Sequence, residues 1–389
     1  MVKSYLPLVS SIFCFYYCLV FLDYLLITSI GISFTLYIFL DFIDKIGVVF
    51  PVKEFLVLIA ALQWIVGAKI SYTFGKVHYK YYMYVDEPMY MNYVVPGLIF
   101  MSLGLHLFKT DLSIDKLRKS ILFGNIILKN AALTIVVIGL VATILGRFLN
   151  FGGIAFILYL SSVLMYVGVA YLFFLYPHRK WFIFTLTIGS VFLLSISSGL
   201  FHELLLIGSF LTFLLISKET KFLSKFIIIV SGFIVIYTIQ LVKKDLRSEV
   251  WSGESSKSAS AIFFSLVEDE LFSTPKKKLI INKEGNAEEQ ESVEVNNRLN
   301  QGWIISKVLS NVPKNEPFLN GETVLEAISS SILPRFLFPD KKGANQALIN
   351  FQRITGLHLQ SGTSMGLSII GEFYANFGVK GGWVAMFVF

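Results

Sequence analysis

Cysteine is almost absent from the chain: only Cys14 and Cys18 occur, one helical turn apart in the first apolar run. They read as small core side chains, which excludes a disulfide framework, a Cys-rich metal centre and a dithiol redox site. Charge is scarce as well. Asp, Glu, Lys and Arg make up 15% of the 389 residues, against about 25% in an average soluble domain. Hydrophobic residues reach 55%, and Phe alone occurs 37 times. A water-facing fold of this composition would expose large apolar patches, so a soluble enzyme is excluded. The sequence also lacks a Gly-rich phosphate loop of either nucleotide-binding pattern, and it has no internal repeat. No His/Asp/Glu group has ligand spacing, so neither a metal nor a cofactor is expected. No Lys/Arg cluster is interleaved with aromatics, and nucleic acid is not an expected partner.

What is present is a succession of apolar runs of about the length that a spanning helix needs, roughly 20 residues. Before residue 243 they cover 5–22, 24–40, 55–70, 93–108, 131–149, 151–176, 181–198, 200–217 and 225–242, and a tenth begins near 366. The first has only Lys3 ahead of it and no A-x-A cleavage pattern, so it reads as a retained anchor and not as a signal peptide. The pattern predicts an all-α polytopic membrane protein of about ten transmembrane helices, with 1–242 as a bundle of nine spans. With the N-terminus in the cytoplasm, the inner loops carry thirteen Lys/Arg and the short outer loops four. That arrangement satisfies the positive-inside rule and puts the long segment after residue 242 on the outer face, as one large periplasmic loop. The charge agrees: residues 243–364 hold 15 Lys+Arg and 15 Asp+Glu, so the net +7 belongs to the membrane part.

Within that segment, 243–296 is polar and poor in aromatics and is expected to be poorly ordered. From 297 to 364 the composition changes to that of a folded region with short helices, one starting at Asn297 and running through Leu309, another from Leu325 to Leu333. Residues 365–389 start a further span. After Lys380 only nine residues remain, less than half of a hydrocarbon core of about 30 Å at about 1.5 Å per residue. A C-terminally truncated chain is therefore expected.

The residues able to carry chemistry gather in the outer segment. Arg335 stands between Pro334 and Pro339, which forbid one continuous helix and fix the apolar residues between them. A guanidinium held in that way suits phosphate or diphosphate oxygens; the alternative is an arginine marking the membrane interface, with Asp340 and Lys341 solvated beside it. Glu372 lies in an apolar, aromatic setting where a carboxylate needs a cation or backbone amides, as a base or as a loop pin. Arg298, Arg353 and Arg247 complete the set of loop arginines. His202, beside Glu203 in a turn between two runs, and His358, in a Gly/Ser-rich loop, are the remaining candidates; the alternative for the first pair is an ion pair that glues helices, and for His358 a solvated side chain is the favoured reading.

These parts, in this order, resemble the Wzy-type oligosaccharide repeat-unit polymerases of bacterial O-antigen, capsule and exopolysaccharide assembly, relatives of the O-antigen ligases. The resemblance rests on Asn-Arg-Leu-Asn-Gln-Gly at 297–302, Pro-Phe-Leu-Asn-Gly at 317–321, Leu-Pro-Arg-Phe-Leu-Phe-Pro-Asp-Lys at 333–341 and Gly-Glu-Phe-Tyr-Ala-Asn-Phe-Gly at 371–378. It implies a glycosyltransferase of the bacterial inner membrane that joins undecaprenyl-diphosphate-linked oligosaccharides on the periplasmic face, with the lipid diphosphate as leaving group. A flippase and a chain-length regulator are the protein partners implied. Arg335, Glu372 and His202 are then the catalytic candidates, and Arg298, Arg353, Arg247, Lys341 and His358 the diphosphate and sugar ligands. The Arg-x10-Gly spacing found in the family does not occur here. An O-antigen ligase or a lipid-linked oligosaccharide flippase is the alternative.

Overall fold

A computed structural model describes residues 5–74, 82–108, 113–123, 125–148, 155–252, 258–272, 279–281, 287–289, 300–332, 345–359 and 365–389. The described residues are overwhelmingly helical, with one antiparallel pair of three-residue strands, Leu279–Ile281 and Ala287–Glu289. Six helices are long and apolar enough to cross a membrane: Leu26–Lys45, Val52–Thr73, Glu87–Leu107, Ile157–Leu175, Pro177–Ser198 and Phe222–Ser252. Large apolar side chains such as Phe13, Phe182 and Leu223 point outward along the helices, a surface suited to lipid and not to water. The chain is a membrane-embedded helical protein. Two of the ten expected spans fold as shorter apolar helices, Leu6–Val20 and His202–Leu215, and a third, Asn130–Gly146, is the apolar stretch of the longer helix Asn125–Phe148. The run expected from 366 folds as Ile369–Val388, which carries Glu372 and Lys380 and bends at Gly378.

In chain order the helices are α1 (Leu6–Val20), α2 (Leu26–Lys45), α3 (Val52–Ala61), α4 (Gly67–Phe74), α5 (Glu87–Leu107), α6 (Ile114–Phe123), α7 (Asn125–Phe148) and α8 (Ala155–Leu175). They continue as α9 (Lys180–Ser198), α10 (His202–Leu215), α11 (Phe222–Ser252), α12 (Ala259–Phe272), α13 (Gly302–Asn311), α14 (Glu322–Ile332), α15 (Asn345–Thr355) and α16 (Ile369–Val388). The chain divides into two compact units. One comprises 1–42, 52–109 and 277–389, and the other 43–51 and 110–276.

In the first unit, α3 runs through a π-helical turn at Leu62–Val66 into α4, and α5 returns beside it. Tyr90, Met91, Val94, Val95 and Leu98 of α5 are fully buried, as a helix apolar on all sides must be. One end of this antiparallel pair is held by Lys53, whose Nζ donates to the Phe108 carbonyl at 2.8 Å, and by His106, whose Nε2 lies 2.9 Å from Glu54 Oε1. His106 Nδ1 faces the Ser102 carbonyl at 2.7 Å. At the other end Lys69 Nζ lies 2.9 Å from both Glu87 oxygens, Thr28 donates to Glu87 at 2.7 Å, and the Tyr72 hydroxyl donates to the Val85 carbonyl. Helix α13 docks at that second end: Asn300 donates to Ser71 at 2.7 Å, and Ser306 Oγ receives the Tyr84 amide at 3.0 Å. A Cβ on Gly302 would stand 2.4 Å from the Tyr90 hydroxyl, so only glycine allows this approach.

In the second unit α7 and α8 pack along their length, and α9 to α12 surround a core that includes Tyr166, Val191, Ile196, Phe201, Leu211 and Leu246. The boundary expected at residue 242 falls inside α11, which continues to Ser252. Ile262 and Phe263 of α12 are buried in the same core, so 243–252 and 259–272 are regular structure where poor order was expected. The apolar face Ile262, Phe263 and Leu266 gives the reason.

Candidate functional site

The clearest constellation in the first unit surrounds the bend in α16. Ser368 starts the helix in extended backbone, and Glu372 sits in its first turn, where the helix dipole favours a carboxylate. At Gly378 the backbone takes φ +68° and ψ −164°, a region that costs any residue with a Cβ. The carbonyls of Ala375 and Asn376, just before the bend, receive the amides of Leu319 and Asn320 at 3.0 Å each. Asn376 is fully buried; its Nδ2 donates to Thr323 Oγ1 at 2.7 Å and to the Glu372 carbonyl at 2.9 Å. The Phe318 ring lies edge-on to Tyr374 and would meet a Cβ on Gly378 at 3.3 Å. Two of the motifs that carry the resemblance, 317–321 and 371–378, thus form one joint.

Glu372 is half-buried, and its carboxylate makes no hydrogen bond or ion pair with another described residue. Arg353, on α15, is instead engaged by acids of its own neighbourhood: Nε donates to Glu316, and one terminal nitrogen reaches both oxygens of Glu322 at 3.1 Å. These bonds, chiefly the one to Glu316, hold the guanidinium pKa above its ordinary value, with slight burial working against them. As placed, Arg353 clamps the loop before α14, α14 itself and α15. His358 is exposed in the extended stretch after α15. Arg298, Arg335 and Lys341 lie outside the described residues.

His202 and Arg247 belong to the second unit. His202 is exposed at the start of α10. Arg247 Nε donates to the Gly199 carbonyl at 2.8 Å, and Trp251 Nε1 donates to Ser198 at 3.1 Å, so the pair satisfies the carbonyl end of α9, where a cation is favoured. Gly199 itself has φ +66°. The structure therefore brings Arg247 to the turn just before His202, both in the second unit, while Glu372 and Arg353 belong to the first.

Sequence reading missed the buried Asn376, the capping amides of Leu319 and Asn320, and the Glu54–His106 and Lys69–Glu87 pairs. The last left a signal. Lys69 is one of the four basic residues that fall to the short outer loops, where the positive-inside rule expects few, and Glu87 is its counter-ion eighteen residues on, across the helical hairpin. Among the described residues no group of three or more His, Cys, Asp or Glu is arranged to hold a metal ion. In comparison with known proteins the chain matches no family model, no curated protein and no solved structure.

Proposed function

We propose that the protein is a membrane glycosyltransferase that polymerises undecaprenyl-diphosphate-linked oligosaccharide repeat units on the outer face of the bacterial inner membrane. In this reading the chain has about ten spans, a cytoplasmic N-terminus and a periplasmic segment that includes α13 to α15. The observation that carries the proposal is the joint at Gly378. It joins the helix that carries Glu372, a carboxylate without a counter-ion among the described residues, to the Pro-Phe-Leu-Asn-Gly turn, and both belong to the motifs on which the family resemblance rests.

The chemistry asks for two groups. Departure of a diphosphate from the anomeric carbon develops negative charge on phosphate oxygens, which a guanidinium fork stabilises, and the acceptor hydroxyl must give its proton to a base. Glu372 is assigned to the base and Arg335 to the diphosphate. Lipid-linked single repeat units supplied to membranes of matched expression level test both. Arg335→Lys and Glu372→Gln are each expected to lose about 10² to 10³ in rate of chain extension, roughly 3 to 4 kcal/mol, as for loss of one oxyanion donor. Arg353→Ala should lose less, because its donors already serve Glu316 and Glu322. Near-normal extension by Arg335→Ala would overturn the assignment.

The break in α16 favours one rival. Discontinuous helices at the substrate site are a habit of transporters. A flippase predicts that loss of the protein leaves single repeat units on the cytoplasmic leaflet, whereas a polymerase predicts that they collect on the outer one.

A further inference from the structure

We propose that Tyr82 and Tyr84 form a saccharide-binding platform, on which the apolar C–H face of a pyranose ring stacks beside the half-helix that carries Glu372. The choice of ligand class rests on the glycosyl-transfer reading above. Both tyrosines lie in the short stretch between the spans Val52–Thr73 and Glu87–Leu107. Tyr82 is 45% exposed. Its ring lies over that of Tyr84, with centroids 4.1 Å apart and planes tilted by 33°, and Lys307 Nζ sits 4.2 Å from the Tyr84 ring centre.

An exposed ring can be chance; a ring pair fixed by its backbone is not the usual loop arrangement. The Tyr84 amide donates to Ser306 Oγ, the Val85 carbonyl accepts from the Tyr72 hydroxyl at 2.8 Å, and the Met83 sulfur receives Asn300 Nδ2 at 3.5 Å. Met83 and Tyr84 also pack against Trp303, Ile304 and Phe351. The platform is therefore rigid before any ligand arrives, which lowers the ordering cost of binding. Burial, then a hydrogen bond with Tyr82, pushes the Tyr84 hydroxyl up to about 12. Aromatic faces, hydroxyl donors and one ammonium together match a sugar, whose ring hydrogens carry partial positive charge and whose rim is all hydroxyl.

Helix α13 touches both the stretch that carries the platform and the residue before Glu372. Ser306 holds Tyr84, while the backbone of Ile305 and the side chain of Val308 lie against Gly371, next to Glu372. A tyrosine that merely anchors the protein in the headgroup layer would need neither this mount nor the neighbouring cation.

The full chain in lipid nanodiscs, free of glycoside detergents, tests the proposal by saturation-transfer NMR with the methyl pyranosides of glucose, galactose, mannose and N-acetylglucosamine. At least one should receive saturation on the hydrogens of one ring face. The transfer should fall by roughly fivefold or more in Tyr82→Leu, which keeps apolar bulk without a π face, and survive in Tyr82→Trp. Tyr237→Leu, an exposed tyrosine on α11, should leave it unchanged. No transfer to any of the four sugars, equal transfer in Tyr82→Leu, or equal loss in Tyr237→Leu would overturn the platform. Sugar binding that is lost in Tyr82→Leu, in a protein without polymerase activity, would leave the platform standing and remove the proposed reaction. Normal polymerisation with unchanged binding in Tyr82→Leu would do the reverse.

Discussion

Gly378 and Asn376 divide one task between them: the first bends α16, and the second ties the half-helix before the bend to Thr323. A Cβ at Gly378 would be forced into a left-handed, extended backbone and would press on Phe318 at 3.3 Å. Gly378→Ala is therefore expected to destabilise the first unit by about 1 to 3 kcal/mol, read as a lower midpoint of thermal unfolding in detergent. Asn376→Leu removes both donors from a fully buried amide and leaves the Thr323 hydroxyl without its partner, for a cost of about 1 to 3 kcal/mol. Asn376→Asp supplies no amide donor either and adds a buried charge, so it should cost more than Asn376→Leu. The motif Gly-Glu-x-Tyr-x-Asn-Phe-Gly was legible in the sequence as something unusual, because a carboxylate stood in an apolar, aromatic run. Its use for the Asn and the second Gly was not legible. Their partners, the amides of Leu319 and Asn320 and the hydroxyl of Thr323, lie more than fifty residues away, and backbone amides leave no trace in a one-letter string.

Among the elements, the helices were the most readable, since runs of apolar residues dictate them, and their ends the least. α11 passes through Lys243, Lys244, Asp245 and Arg247 without stopping, although charge at that point resembles the edge of a membrane. It continues because its last turns have work to do on α9. Arg247→Ala removes the bond to the Gly199 carbonyl and should cost about 0.5 to 2 kcal/mol. Hydrogen exchange at Ile196 to Leu200 is the measurement, with faster exchange at this turn and little change in α7 and α8. Equal acceleration throughout the unit would show that Arg247 acts on global stability instead. The short helices α13 and α14 were visible from the apolar patterns at 297–309 and 325–333, but α15 and the clamp of its Arg353 on Glu316 and Glu322 were not, since residues in a loop and two separate helices carry no common spacing.

For the whole molecule, the paired ends of the first unit give a test of topology that needs no assumption about function. In a chain with Cys14 and Cys18 replaced, single cysteines at Asp86 and Lys314 should react with a membrane-impermeant maleimide from the same side, and one at Phe108 from the other. Labelling of Asp86→Cys and Lys314→Cys from opposite sides would contradict the docking of α13 on the Ser71 and Tyr84 end. The opposite end, closed by His106 and Glu54, has a charge account of its own. The Ser102 carbonyl can only accept, so the His106 nitrogen facing it must bear hydrogen. A neutral ring would then meet the Glu54 carboxylate with a lone pair against a lone pair, and the 2.9 Å contact would repel. The contact is attractive only if one additional proton lies between them, on the imidazole or on the carboxyl. In either form the two side chains sum to zero, so a glutamate that is 2% exposed adds no net charge to the interior of the bundle.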